Sequence, residues 1–186
     1  MSSAPAPSAD PGLPELIIAR IRDIPDYPQP GIMFKDITPL LADGSALKAV
    51  VAALAAGHGE AGGRDGGTAE GGWSEGGWGQ IDKVVGIEAR GFILAAPVAC
   101  CLGAGFVPVR KQGKLPAATY AQSYQLEYGT ATIEVHADAF EPGERVLIVD
   151  DVLATGGTAA ATASLVRRSG AEAVAVAVLL DRKSVV

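Results

Sequence analysis

Aromatic residues are scarce in this chain, 5% against 48% for all hydrophobic residues, so its core must be built from Ala, Val, Leu and Ile. That bias suits parallel strands buried under helices better than a half-exposed antiparallel sheet. Basic residues are few as well: 15 Lys and Arg face 21 Asp and Glu, for a net charge of −6. The broad positive field of a nucleic-acid binder is missing, and no nucleic-acid partner is expected. Nowhere do ~18 strongly apolar residues run together as a membrane span needs, so no membrane partner is expected either. Cysteine is confined to the adjacent pair Cys100 and Cys101. Neighbouring cysteines cannot close an unstrained disulfide, and no zinc-ligand spacing surrounds them. They read as buried thiols of a cytoplasmic protein. Residues 1–12, MSSAPAPSADPG, lack the basic start and apolar stretch of a secretory leader and read as a disordered tail.

What is present is ordered punctuation. Leu16, Ile17, Ile21 and Ile24 recur at helical spacing and predict a helix over 14–24. The following DYPQPGIMFKDITPLL is too rich in Pro and Gly for a regular element and reads as a shaped loop. Ser45 is placed to cap a helix carrying Leu47, Val50, Val51 and Leu54. Residues 57–80 are glycine-rich, hold His58 and repeat EGGW at Glu70–Trp73 and Glu75–Trp78. They read as a flexible insertion between a helix and a strand, with the tryptophans either incidental or a docking spot.

Order then returns. Strands are predicted at Lys83–Ile87, Phe106–Val109, Val146–Val149 and Ala173–Leu180, with helices at Gly91–Leu102 and Gly157–Arg168. Thr119 to Val135 alternates like a hairpin turning near Gly129, with His136 solvated at its end. The pattern is α/β with a mostly parallel sheet.

One segment carries chemistry. In RVLIVDDVLATGGT an apolar strand ends in Asp150 and Asp151 and leads through Ala154, Thr155, Gly156, Gly157 and Thr158 into a helix. In open parallel sheets, ligands bind beyond the carboxyl ends of strands. Glycines let backbone N–H groups converge on an oxygen-rich group, and the helix start adds donors and partial positive charge for a phosphate. The two acids would repel phosphate but suit sugar hydroxyls or an attached cation. Phosphate at one end and polyol at the other describe a cradle for ribose 5-phosphate.

This string resembles the 5-phosphoribosyl pyrophosphate (PRPP) motif of type I phosphoribosyltransferases. PQPGIMFKDITPLL, GIEARGF, RKQGKLP, SYQLEYG and VDDVLATGGT also stand in the order and approximate spacing of the adenine phosphoribosyltransferase family, over about residues 14–182. The resemblance implies a single phosphoribosyltransferase domain over 13–186, with a twisted, mostly parallel sheet flanked by helices. It also implies a small N-terminal hood and a mobile hairpin lid over Gln112–Gly129. The implied reaction is purine salvage: adenine and PRPP give AMP and pyrophosphate, with Mg²⁺ carried mainly by PRPP, in a cytoplasmic homodimer. Another base, or a non-catalytic PRPP or purine sensor, stays open at this point.

The resemblance also distributes roles. Arg90, after a cis peptide, together with Lys111, Lys114 and Tyr128, would meet pyrophosphate, a leaving group whose charge must be neutralised. Glu127 matches the acid/base position beside adenine, although residues alone leave it an ordinary hairpin acid. Phe34 and Lys35 match the adenine-binding hood, Phe34 by stacking on the purine. Family members continue beyond the last core strand, whereas this sequence stops at LLDRKSVV, from which reduced stability, dimer contact or activity is expected.

Overall fold

The computed structural model of the protein describes residues 12–57, 77–125 and 129–181. The expected tail but for Gly12, His58, Trp73 and most of the glycine-rich segment lie outside the described residues. Two compact units divide between Val50 and Val51.

The first unit begins with α1 (Leu13–Ile18), β1 (Arg22–Ile24), β2 (Phe34–Asp36) and α2 (Thr38–Ala42). The helix expected to reach residue 24 stops six residues early. Tight turns, with Arg20 N–H donating to Ile17 O and Ile21 N–H to Ile18 O, close it. The chain then pairs antiparallel with β2, matching Arg22 to Asp36 and Ile24 to Phe34. Apolar spacing is the weaker signal here, because cross-strand pairing overrides local propensity. The Pro-rich loop likewise holds more regular structure than expected. Pro28 and Pro30 lie ahead of β2, and Pro39 lies in the first turn of α2, where its missing N–H costs nothing.

Helix α3 (Gly44–Ala56) follows. Its first N–H groups are capped by Asp43, whose Oδ1 accepts from Ser45 and Ala46 at 3.0 Å each, so Asp43 does the work expected of Ser45. Asp43 also pairs with Arg20 at 2.5 Å. The N–H bond from Ala46 and the bond from Arg20 hold its carboxyl below the ordinary range.

The second unit is built on a six-stranded sheet in the order β5-β6-β4-β3-β7-β8. These are β3 (Lys83–Ile87), β4 (Gly105–Lys111), β5 (Thr119–Gln125), β6 (Thr130–His136), β7 (Arg145–Leu153) and β8 (Glu172–Asp181). β4, β3, β7 and β8 run parallel, and the β5–β6 hairpin adds antiparallel to β4. Helix α4 (Arg90–Leu102) links β3 to β4, and α5 (Gly157–Arg168) links β7 to β8. Leu94, Ala95, Val98 and Ala99 form the buried stripe of α4, and a Cβ on Gly86 of β3 would come within 2.9 Å of Ala95 Cβ. Val85, Ile87, Val107, Val109, Val146 and Ile148 share a core with Ala161, Leu165 and Val166 of α5. Gly170, at φ +88°, ends α5 in the left-handed conformation that glycine tolerates.

Three expectations change in this unit. Cys100 and Cys101 are exposed, because the inward stripe of α4 turns past at Val98 and Ala99 and leaves the next two residues outside. His136 is half-buried, with its Nε2 shielded and without a hydrogen-bond partner, because it pairs with Thr119 inside the hairpin. Trp78 is structural: its Nε1–H donates to Leu54 O at 2.7 Å. A Cβ on Gly57 would lie 3.4 Å from both Gly77 Cα and the Trp78 ring, so the ends of the glycine-rich segment meet at one point.

Candidate active site

The chain leaves β3 through α4 to one side of the sheet, and leaves β7 through α5 to the other. The carboxyl ends of β3 and β7 therefore flank the point where strand order reverses, the place where open α/β sheets hold ligands. A cavity of about 310 Å³ opens at the carboxyl end of β7 on the side of β8 and α5, lined by Asp150, the run from Val152 to Ala159, and Val178. All five residues predicted to grip the phosphate, Ala154 to Thr158, line it.

Local geometry explains the cradle. Strand β7 runs on to Leu153, so Asp150 and Asp151 lie within the strand, not at its end as expected. The ladder to β8 continues past them, pairing Val152 with Leu180. Consecutive strand residues face opposite sides. Asp150 accordingly lines the cavity, while Asp151 is 4% exposed and its Oδ2 lies 2.8 Å from Arg90 Nε. Gly156 takes φ +80° as the residue before α5, a conformation that suits glycine. The first turn of α5 carries no acid, so its N–H groups and helix dipole remain suited to an anion. Gly157 permits a close approach: a Cβ there would lie 3.2 Å from Gln125 O and 3.3 Å from the Tyr124 ring.

Asp150 also touches the start of α4, since a Cβ on Gly91 would come within 2.9 Å of its Oδ1. Burial pushes the Asp150 carboxyl up to about 7; the Asp151 N–H opposes this, the charge and side-chain hydrogen bond of Asp151 add to it, and Arg90 opposes it. Asp150 therefore holds its proton more tightly than an exposed carboxyl does.

Arg90 begins α4 one residue after a cis peptide between Glu88 and Ala89. Lys111 closes β4, and Lys114 follows the Gly113 turn. Both basic segments meet one acid that sequence reading passed over. Glu88 accepts the Lys111 backbone N–H at 2.9 Å and pairs with Lys114 Nζ. Glu134, 7% exposed on β6, accepts the Gly113 N–H at 3.0 Å. Its alternation with Ile133 and Val135 suggests an outward residue, and only the pairing of β4 beside β6 buries it. The segment read as one lid is thus divided, with Gln112 and Gly113 bonded to β6 and Thr119–Gln125 forming β5. β5 lies along α5, where Arg168 sits 5.0 Å from the Tyr120 ring centroid.

Glu127 and Tyr128 lie outside the described residues. Phe34 and Lys35 stand on β2 in the first unit. The Phe34 ring meets Tyr27 edge-on at 5.2 Å, and Lys35 Nζ pairs with Asp23 at 2.7 Å.

Comparison with known proteins gives one consistent result. Residues 64–185 match the phosphoribosyl transferase domain. An adenine phosphoribosyltransferase of Nocardioides sp. is 63% identical over 178 residues, covering 95% of this chain and 87% of its own length. The crystal structure of adenine phosphoribosyltransferase from Rhodothermus marinus is 52% identical, with a TM-score of 0.77 over 91% of this chain and 86% of that one. The enzyme from Saccharomyces cerevisiae, solved with an imino-altritol bisphosphate and adenine, is 32% identical, with a TM-score of 0.77 over 92% and 89%.

Proposed function

This chain belongs to the adenine phosphoribosyltransferase family of transferases, and we propose that it performs purine salvage by moving the 5-phosphoribosyl group of PRPP to adenine. The products are AMP and pyrophosphate. The observation that carries this reading is the cavity at the carboxyl end of β7, with a carboxylate on one wall and a glycine-rich helix start on the other.

Thr155 to Thr158 hold the 5-phosphate through hydroxyl and N–H donors. Asp150 accepts from the ribose hydroxyls, and Asp151 orients Arg90. Arg90, Lys111, Lys114 and Tyr128 take the charge of pyrophosphate as it leaves. Phe34 stacks on adenine, with Lys35 beside it. Glu127 exchanges a proton with a purine nitrogen while N9 attacks C1 of the sugar and the bond from C1 to pyrophosphate breaks. Closure of the hairpin over the reacting sugar keeps water from C1.

Mg²⁺ fits this donor set as an ion carried by substrate. Asp150 offers a carboxylate at the cavity wall that such an ion can meet. When bound, the ion supplies further neutralisation of pyrophosphate. Residues 13–186 act as one catalytic domain, in a cytoplasmic homodimer like that of the family. No helix among the described residues is long and apolar enough to cross a membrane.

The test is a product assay with purified protein, PRPP, Mg²⁺ and each purine base in turn. AMP from adenine alone is expected. PRPP binding without nucleotide from any base would overturn the enzyme reading and leave a sensor.

A further inference from the structure

Glu88 has no place among the ligand-facing groups assigned above, yet it joins both loops that are proposed to hold pyrophosphate. It follows β3 two residues before Arg90, and its side chain is 9% exposed. Oε2 accepts the Lys111 backbone N–H at 2.9 Å and lies 3.5 Å from Arg110 Nε, while Oε1 pairs with Lys114 Nζ. The backbone reinforces this join. Glu88 N–H donates to Val109 O at 3.0 Å, and Arg110 Nη1 donates to Lys114 O at 3.1 Å.

Burial alone would push the Glu88 carboxyl up. The hydrogen bonds from Lys114 and the Lys111 backbone, with the charges of Lys114 and Arg110, outweigh that and hold it below the ordinary range. It is therefore an ionised carboxylate inside a cationic loop. Lysine's four-carbon stem is flexible, and its ammonium keeps donors for a ligand after giving one to Glu88. Fixing that stem before the ligand arrives removes part of the ordering cost of binding.

We propose that Glu88 is a positioning residue for pyrophosphate: it sets the Lys114 ammonium and the Lys111 backbone so that the loops after β3 and β4 present one preformed anion site. Two effects of opposite sign meet here, because a carboxylate near an anion also repels it. Glu88 is saturated by two cations and an N–H, so its repulsion is largely cancelled and positioning is the larger effect.

The proposal rests on the transferase reading, and the experiment separates the two. Titration calorimetry with inorganic pyrophosphate and Mg²⁺ needs no turnover. A wild type that binds pyrophosphate but makes no AMP fails that reading while leaving Glu88 testable. Glu88→Gln keeps the shape and the acceptor for Lys111 but removes the charge that holds Lys114. Pyrophosphate affinity and the KM for PRPP are expected to worsen roughly tenfold, as for loss of one charge-assisted hydrogen bond, with the KM for adenine unchanged. In a Lys114→Met background the same change is expected to have little further effect. Unchanged or tighter pyrophosphate binding by Glu88→Gln would mean that repulsion dominates, and would overturn the proposal. So would failure of the variant to fold, or a parallel rise in the adenine KM, since either assigns Glu88 to the fold alone.

Discussion

Replacing Asp150 by Asn should stabilise the ligand-free protein, and by an amount that depends on pH in a defined way. The carboxyl is raised from 3.8 to about 7, first by burial and with a contribution from Asp151. Between about pH 4 and pH 7 the unfolded chain has released this proton while the folded chain still holds it. The folded form then loses about 1.4 kcal/mol of stability per pH unit, and above pH 7 the loss stays constant. Over roughly three units the cost approaches 4 kcal/mol. Asn keeps an oxygen for the Asp151 N–H, which now bonds Asp150 Oδ1 at 2.9 Å, and has no charge to bury. Thermal unfolding of wild type and Asp150→Asn from pH 4 to pH 9 should show curves that nearly coincide at the acid end. The gap should widen towards pH 7 and then level off. Even half the full cost, about 2 kcal/mol, corresponds to some 4–8 °C in a chain of this size. PRPP binding should move the other way, weaker in the variant, because the ionised carboxylate is the better acceptor for ribose hydroxyls. A gap that is constant with pH, or a variant less stable at pH 8, would refute the claim that burial of this charge opposes folding.

Three further outcomes can be checked. Glu127→Ala should lower turnover by about 10²–10⁴-fold while PRPP affinity in a binding titration changes little; equal turnover would remove Glu127 from the chemistry. Gly91→Ala should cost about 1–3 kcal/mol in thermal unfolding and weaken PRPP binding. Its new Cβ would meet Asp150 Oδ1 at 2.9 Å and Val149 O at 3.0 Å, and an unchanged melting point would show that α4 and β7 yield freely there. Trp78→Phe should lower stability by about 1 kcal/mol through loss of the bond to Leu54 O, with AMP formation intact.

The local signals that proved legible are those a short segment carries alone. Lys83–Ile87 and Gly157–Arg168 form the predicted elements residue for residue, because an apolar strand run or a helix with a glycine at each border needs no distant partner to be recognised. The cavity-lining run Ala154–Thr158 was legible for the same reason: glycines, hydroxyls and the helix start are contiguous. The helix expected over 14–24 was not, since β1 exists only because β2 lies beside it.

Asp150 and Asp151 show where the division falls. Sequence determined that two acids stand just before Ala154–Thr158 and that glycines and hydroxyls are contiguous there. It could not divide their work, because they are neighbours of one chemical type. The extension of β7 to Leu153 turns one toward the cavity and the other toward Arg90, and burial then raises the first. Glu88 is the clearest case: 22 residues separate it from Arg110, and adjacent parallel strands β3 and β4 make them neighbours. Contact across a sheet, and the desolvation that comes with it, depend on which strands lie side by side, and that only the tertiary structure decides.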